Sequence, residues 1–178
     1  MEKVVLICGK AESGKKEFAS LLETELQKNK FTSFTFPITY FFKELLKRQY
    51  NWNGKKDKKG RDLLQKIGEE WNNKTPGFWA TLSCELLSSL VLDYDVFIVT
   101  GVRRVEEIKT FKKKFKNVVA VKVVKDDSET TLTDEQQSHE TETALADYKF
   151  DFVVDNQSPL HLKEQATDFF NKYLWSKE

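Results

Sequence analysis

Short runs of apolar residues alternate along this chain with longer amphipathic stretches. The apolar runs lie at residues 3–8, 31–36, 95–100, 118–124 and 150–154, and each predicts a strand. The stretches at 15–28, 39–48, 61–71, 78–92, 105–115 and 160–174 carry helical patterns, with apolar positions recurring at helical spacing in the last of them. Strands that alternate with helices are typical of βα units around a parallel sheet. The pattern therefore predicts a three-layer α/β domain with a five-stranded parallel sheet.

Two polar segments interrupt the alternation. Residues 51–60 have turn residues at both ends and a basic middle, and residues 125–137 are rich in Asp, Ser and Thr without an apolar face. Both segments are typical of mobile loops. No internal repeat and no linker divides the sequence, so we expect residues 1–178 to form a single domain.

A phosphate-binding loop is predicted between the first strand and the first helix. Its residues are Gly9, Lys10, Ala11, Glu12, Ser13, Gly14 and Lys15. Glycines at both ends allow backbone angles and a close approach that a side chain would block, so successive N–H groups can surround a phosphate at the helix N-terminus. The lysine would reach the β and γ phosphates. Because a strand precedes this loop and a helix follows it, we expect it to bind ATP.

The residue after the loop departs from the usual pattern. Ser or Thr normally follows the lysine, and its hydroxyl ligates Mg²⁺; this chain has Lys16. A cation cannot hold a magnesium ion. Either the metal is held by phosphates, water and another side chain, or metal-assisted catalysis is weakened, and the sequence leaves both interpretations open.

Composition and charge narrow the class of protein. The 178 residues include 29 Lys+Arg and 28 Asp+Glu, a net charge of +1, which argues against a dedicated nucleic-acid binder. No apolar run approaches the roughly 18 residues of a membrane span, and the first apolar run is too short for a signal peptide. Two cysteines and two histidines argue against a disulfide framework and a structural zinc site. We expect a cytoplasmic protein with neither a nucleic-acid nor a membrane partner.

The loop resembles the variant phosphate loop of two related families of small kinases, the phage-type deoxynucleoside monophosphate kinases and the animal-type phosphomevalonate kinases. Both carry a Gly-Lys-x-x-Ser-Gly-Lys-Asp loop, in which Lys16 here replaces the acid. The resemblance continues through residues 60–71, 76–79, 101–108, 138–148 and 150–156. It implies a P-loop NTPase fold of the nucleoside monophosphate kinase type, with an acceptor-binding insertion at about residues 38–80 and a lid at about 125–147.

The resemblance also implies ATP-dependent phosphoryl transfer to a (deoxy)nucleoside monophosphate. Lys15 and the loop amides would hold the donor phosphates. Arg61 leads a helix similar to the family's acceptor helix, and Arg103 and Arg104 follow a strand as in the family's Asp-x-Arg motif, with Gly101 where the family has its Asp. These arginines would hold the acceptor phosphate, because a guanidinium can pair with two phosphate oxygens.

Further residues take roles from the same resemblance. Phe78 and Trp79 lie in a Pro-x-Phe-Trp turn on the acceptor side, Glu142 ends a segment similar to His-x-Ser-Glu, and Asn156 ends the last strand near the nucleotide. The expected catalytic residues are Lys15, Arg61 and Arg103; the expected ATP-binding residues are Gly9, Lys10, Ala11, Glu12, Ser13, Gly14, Lys15, Lys16 and Asn156; and the expected substrate-binding residues are Arg61, Phe78, Trp79, Arg103, Arg104 and Glu142.

The expected cofactors are ATP and Mg²⁺. No residue is assigned as a metal ligand, although Glu12 and Asp127 could supply a more distant carboxylate. The expected partner is a nucleoside monophosphate or a similar small phosphorylated substrate, and the oligomeric state, a homodimer included, stays open.

Three functions remain in competition. The first is a nucleoside monophosphate kinase, and the second is a kinase of a phosphorylated non-nucleotide such as phosphomevalonate, which the Arg103-Arg104 pair fits equally well. The third is a nucleotide-binding protein without catalysis, because Lys16 and Gly101 replace the acids expected near magnesium. Structural roles compete as well: Arg61 as an ion-pair partner on a helix surface, and the four tryptophans as core residues.

Overall fold

Five parallel strands form one sheet in a computed structural model of the protein. The structure describes residues 3–55, 57–125 and 143–175. The strands are β1 (Lys3–Cys8), β2 (Ser33–Pro37), β3 (Val96–Val102), β4 (Val118–Val124) and β5 (Phe152–Asp155). Their order is β2-β3-β1-β4-β5, and each neighbouring pair is parallel. The predicted five-stranded parallel sheet is confirmed, with β1 at its centre.

Helices connect the strands. Within the described ranges they are α1 (Lys15–Lys28), α2 (Tyr40–Gln49), α3 (Lys58–Lys74), α4 (Phe78–Ser89), α5 (Val105–Lys114) and α6 (Pro159–Phe169), which continues into a π turn at Phe170–Leu174. None of them is both long enough and apolar enough to cross a lipid bilayer.

The central strand is buried on both faces. Successive side chains of a strand point to opposite sides, and Val5 and Ile7 accordingly lie in one core with residues of α1 and α6. Val4 and Leu6 lie in a second core with residues of α4 and α5. Helices on both faces of the sheet make the three layers that the sequence pattern predicts, and double burial explains why β1 is an unbroken apolar run.

A third apolar cluster joins α2 to α3 at the side of these cores. Its buried members are Phe42, Leu46, Trp52 and Ile67. Trp71 and Trp79 are partly buried against it. This cluster fixes α3, which carries Arg61, relative to the start of α4.

The loop predicted at residues 51–60 is shorter than expected: residues 51–55 and 57 lie outside helices and strands, but residues 58–60 belong to α3. Trp52 is buried, and its Nε1 donates a hydrogen bond to the Lys55 carbonyl at 3.0 Å. Helix α3 begins at Lys58 rather than at residue 61, because the Asp57 side chain accepts a hydrogen bond from the Gly60 amide at 2.8 Å. Asp57, the one acid of this segment, is therefore the N-cap of the helix.

Smaller differences occur at the sheet edges and the C-terminus. Strands β2 and β5 begin two residues later than predicted, at Ser33 and Phe152. Trp175 contacts Phe31 and Phe170 but is 41% exposed, so it is not the core residue that the sequence suggested. Most of the predicted lid, residues 126–142 with His139 among them, lies outside the described residues.

Candidate functional site

The loop between β1 and α1 has two glycines whose conformation and surroundings exclude a side chain. Gly9 has a φ of 137°, and a Cβ added there would lie 2.3 Å from the Val123 carbonyl oxygen of β4. Gly14 has a φ of 95°, and its Cβ would lie 2.2 Å from Nδ2 of Asn156. Residues with side chains rarely adopt such φ values. Both glycines that the sequence singled out are thus required by the backbone.

Asn156 holds the loop from the end of β5. Its amide donates to the Val124 carbonyl at 2.8 Å, and its Nδ2 donates to the Ser13 carbonyl at 3.1 Å. Ser13 itself is only 4% exposed. The structure thus places Asn156 against the phosphate loop and gives it a supporting contact with the loop backbone; its contact with ATP stays a prediction.

The two lysines after Gly14 differ in their surroundings. Lys15 donates from its Nζ to the Lys10 carbonyl and lies 3.4 Å from Oγ of Ser13, so its ammonium lies against the loop. Lys16 is exposed on the first turn of α1. Ala11 is partly exposed and Lys10 is exposed. The arrangement places one cation at the loop and leaves the next in solvent.

Replacing Gly14 by alanine is expected to lower the free energy of unfolding by about 1–3 kcal/mol, because the new side chain meets Asn156 at a φ that alanine rarely adopts. Urea unfolding followed by circular dichroism measures it. Gly68 is the matched control, since it lies inside α3 and a Cβ there would contact Phe42 Cζ at an ordinary 3.5 Å. Gly68→Ala should be as stable as the parent or more so; equal losses in both variants would contradict the assignment.

Arg61 contacts the phosphate loop directly. Its Nη2 donates to Oε1 of Glu12 at 2.7 Å, with the arginine side chain 20% exposed and the glutamate 37% exposed. The sequence left open whether Arg61 binds a substrate phosphate or forms an ion pair on its helix surface. The pair exists, but its partner is 49 residues away in the loop, so it joins α3 to the phosphate loop.

Arg103 and Arg104 link β3 to α5. Arg104 is the N-cap of α5 and is 5% exposed. Oε2 of Glu107 accepts hydrogen bonds from the amides of Arg103 and Arg104, at 2.8 and 3.1 Å. Glu107 was not among the residues predicted for the site, although an acid three residues after an N-cap is a recognisable signal of this contact.

The pKa values of Arg103, Glu107 and Cys8 are shifted by burial and by the charges of neighbouring site residues. Burial lowers the pKa of Arg103, the Glu107 carboxylate opposes this, and the charge of Arg61 lowers it further. Burial raises the pKa of Glu107, and the two amide hydrogen bonds oppose it. Burial also raises the pKa of the Cys8 thiol at the end of β1, and the charges of Glu107 and Lys15 act on it too. Lys15, Arg61 and Arg103 therefore lie in one region at the carboxyl end of the central strand, where open α/β sheets bind ligands.

The position where the resembling kinases have an aspartate is an irregularity of β3. Ile7 pairs with Thr100 and Cys8 pairs with Val102, so Gly101 is an additional residue in the ladder. Its φ is 81°. A bulge of this kind redirects the end of a strand toward a site, and here it precedes the arginines directly.

Phe78 and Trp79 pack with aromatic side chains at the start of α4. Trp71 of α3 lies 5.4 Å from Phe78 and 5.5 Å from Trp79 between ring centroids, and Phe42 lies 5.2 Å from Trp79. Nε1 of Trp79 is buried and has no hydrogen-bond partner among the residues described. The structure places both side chains beside α3; their contact with substrate stays a prediction. Glu142 and Asp127 lie outside the described residues.

Among the described residues, the carboxylates near the loop are few and already paired. In the part of the chain that the structure covers, no three His, Cys, Asp or Glu side chains come together to hold a metal ion. Glu12, the candidate carboxylate of the loop, is paired with Arg61. Magnesium commonly keeps several waters and binds through nucleotide phosphates. The described residues therefore do not form a magnesium site of their own.

Comparison with known proteins shows the fold. No protein-family model and no curated protein sequence matches the chain. Solved structures do match. An APS kinase from Mycobacterium tuberculosis, in complex with AMPPNP and APS, has a TM-score of 0.55 at 12% identity over 96% of both chains. A sugar kinase from a Janibacter species has a TM-score of 0.57 at 12% identity over 96% of this chain and 95% of the other.

Shikimate kinase from Aquifex aeolicus is also similar, with a TM-score of 0.51 at 19% identity over 97% of this chain and 99% of the other. These likenesses cover nearly the full length of both partners. At such low identity they establish the architecture and leave the substrate open. Together with the strand order and the loop geometry, they show that the chain has the three-layer α/β fold of the P-loop kinases.

Proposed function

We propose that the protein transfers the γ-phosphate of ATP to a (deoxy)nucleoside monophosphate and yields the diphosphate. The observation that supports this best is the contact between Arg61 of α3 and Glu12 of the phosphate loop. It brings an arginine suited to an acceptor phosphate next to a loop suited to a donor phosphate. A site with both halves in contact is what direct phosphoryl transfer requires.

The chemistry asks the protein for positioning and charge neutralisation more than for covalent catalysis. In this proposal the loop amides and Lys15 bind the β and γ phosphates of ATP. Arg61 and Arg103 bind the acceptor phosphate and meet the charge that develops on the transferred group, and an arginine stays protonated even where burial lowers its pKa. ATP and Mg²⁺ are the proposed cofactors, with the metal held by the phosphates and water. The reaction would take place in the cytoplasm.

An aromatic cluster favours a nucleotide as acceptor. It joins Trp71 of α3, the helix that carries Arg61, to Phe78 and Trp79 of α4. Aromatic side chains suit the planar face of a nucleobase, whereas a branched aliphatic acid such as phosphomevalonate has no such face. The His139-x-x-Glu142 segment of the sequence favours the same choice.

An acceptor panel tests the proposal. ADP release from ATP and Mg²⁺ is measured with each ribonucleoside and deoxynucleoside monophosphate and with phosphomevalonate, against ATP alone. We expect at least one nucleotide to give acceptor-dependent ADP release. Release with phosphomevalonate alone would replace the nucleotide by that substrate. ATP binding without release for any acceptor would show a nucleotide-binding protein that no longer transfers phosphate.

A further inference from the structure

An acid at the centre of a phosphate loop poses a problem of charge. Glu12 lies between Gly9 and Gly14, with a φ of 64° that residues with side chains seldom adopt. Its carboxylate is 37% exposed and would repel the phosphates of a nucleotide in the same loop. Something must offset this charge before a polyanion can bind well.

Arg61 supplies the offset. Its Nη2 lies 2.7 Å from Oε1 of Glu12, and its side chain is more buried than that of its partner. The same guanidinium lowers the pKa of Arg103. Without a bound anion, the positive charges of Arg61 and Arg103 therefore repel each other. The carboxylate of Glu12 therefore offsets positive charge on the acceptor side, and the guanidinium of Arg61 offsets negative charge on the donor side.

We infer that Glu12 and Arg61 couple the two halves of the site. Without acceptor, Arg61 neutralises Glu12 and permits the loop to bind ATP. An acceptor phosphate competes with Glu12 for the guanidinium, since both are anionic partners of the same group. Glu12 is thus a positioning residue that acts through Arg61. This inference rests on the proposed function, because it requires that the loop binds ATP and that Arg61 binds the acceptor.

A double-mutant cycle on ATP affinity tests the coupling. The dissociation constant of ATP is measured by calorimetry, without acceptor, for the parent, Arg61→Gln, Glu12→Gln and the double variant. Glu12→Gln is nearly isosteric and removes only the charge, whereas Arg61→Gln also shortens the side chain and removes the guanidinium donors. Arg61→Gln should weaken ATP binding roughly fivefold, because a cation is taken away from Glu12 beside the phosphates. Glu12→Gln alone should change the affinity less than about twofold, because Arg61 already offsets the carboxylate in the parent, and the double variant should bind ATP as tightly as the parent, so that the two effects are not additive.

Glu17 provides the matched control. It is an exposed acid on the first turn of α1, close in sequence to the loop. Combining Glu17→Gln with Arg61→Gln should leave ATP binding weak. Restoration by Glu17→Gln as well would show a general charge effect and overturn the inference, and so would strictly additive effects of Glu12→Gln and Arg61→Gln.

Acceptor affinity gives the second arm, measured with the monophosphate that the panel selects. Glu12→Gln should tighten its binding a fewfold in the absence of ATP, since the competing carboxylate loses its charge, whereas Arg61→Gln should weaken it with no restoration in the double variant. Unchanged acceptor affinity in Glu12→Gln would overturn the competition. If the parent bound no ATP at all, the proposed function would fail and the coupling with it; if ATP bound and only the cycle failed, the proposed function would stand.

Discussion

Replacing Lys15 by alanine is expected to lower kcat/KM for ATP by about two to three orders of magnitude. In the structure the Lys15 ammonium lies against the loop, where its Nζ contacts the Lys10 carbonyl and Oγ of Ser13. Removing one preorganised donor from the site of developing charge typically costs an enzyme this much. Steady-state ADP release at saturating acceptor, with ATP varied, measures the effect.

The control lies at the other end of the same helix. Lys28 is an exposed lysine whose Nζ pairs with Glu25 at 2.8 Å, and Lys28→Ala should retain parental kinetics because surface pairs of this kind contribute little. Thermal unfolding of both variants confirms that the fold is kept. Turnover of Lys15→Ala within a few-fold of the parent would show that the donor phosphates bind elsewhere.

The phosphate loop was predictable from sequence because its determinants are local. The apolar run of β1, the glycines and the lysine at the start of α1 lie within residues 3–15. Gly9 and Gly14 have positive φ, as their place in the pattern requires. The bounds of β1, β4 and α1 agree with the prediction residue for residue, since each begins or ends where the hydrophobic pattern changes sharply.

The contacts that complete the site were not predictable, because they depend on how distant segments meet. Glu12 and Arg61 are 49 residues apart, and only the packing of α3 brings them together. The bulge at Gly101 is a matter of register between β1 and β3, which no local pattern specifies. The start of α3 depends on a single side-chain hydrogen bond from the Gly60 amide to Asp57, within a segment whose composition is typical of a loop.

The acids of the site bear on how this chain would hold magnesium, a question that the sequence left open. Lys16 and Gly101 stand where carboxylates near magnesium were expected. The two carboxylates that the described structure does place at the site, those of Glu12 and Glu107, contact arginines: Glu12 through its side-chain partner Arg61, and Glu107 through the amides of Arg103 and Arg104. In the site that we propose, these acids hold the arginines that would bind the acceptor phosphate.

Replacing Glu107 by glutamine is expected to raise the KM for the acceptor about tenfold and to lower the free energy of unfolding by no more than about 1 kcal/mol. Glutamine keeps an oxygen that can accept from the amides of Arg103 and Arg104, so the start of α5 can form. It lacks the negative charge that opposes the lowering of the Arg103 pKa by burial. Burial raises the pKa of Glu107 and so disfavours its charged form, which is why a neutral glutamine costs little stability. Acceptor kinetics and urea unfolding measure the two effects.

Glu106 is the matched control, because it precedes Glu107 in α5 and is exposed. Glu106→Gln should leave the acceptor KM near that of the parent. It should change the free energy of unfolding by no more than about 0.5 kcal/mol, the usual range for surface substitutions. A purely structural role of Glu107 would lower stability and leave the acceptor KM of the folded variant unchanged. If Glu107 positions Arg103, the acceptor KM rises while the KM for ATP stays near that of the parent, since Lys15 and the loop amides are not altered. Parallel changes in both constants would show that Glu107 supports the site as a whole and does not position Arg103.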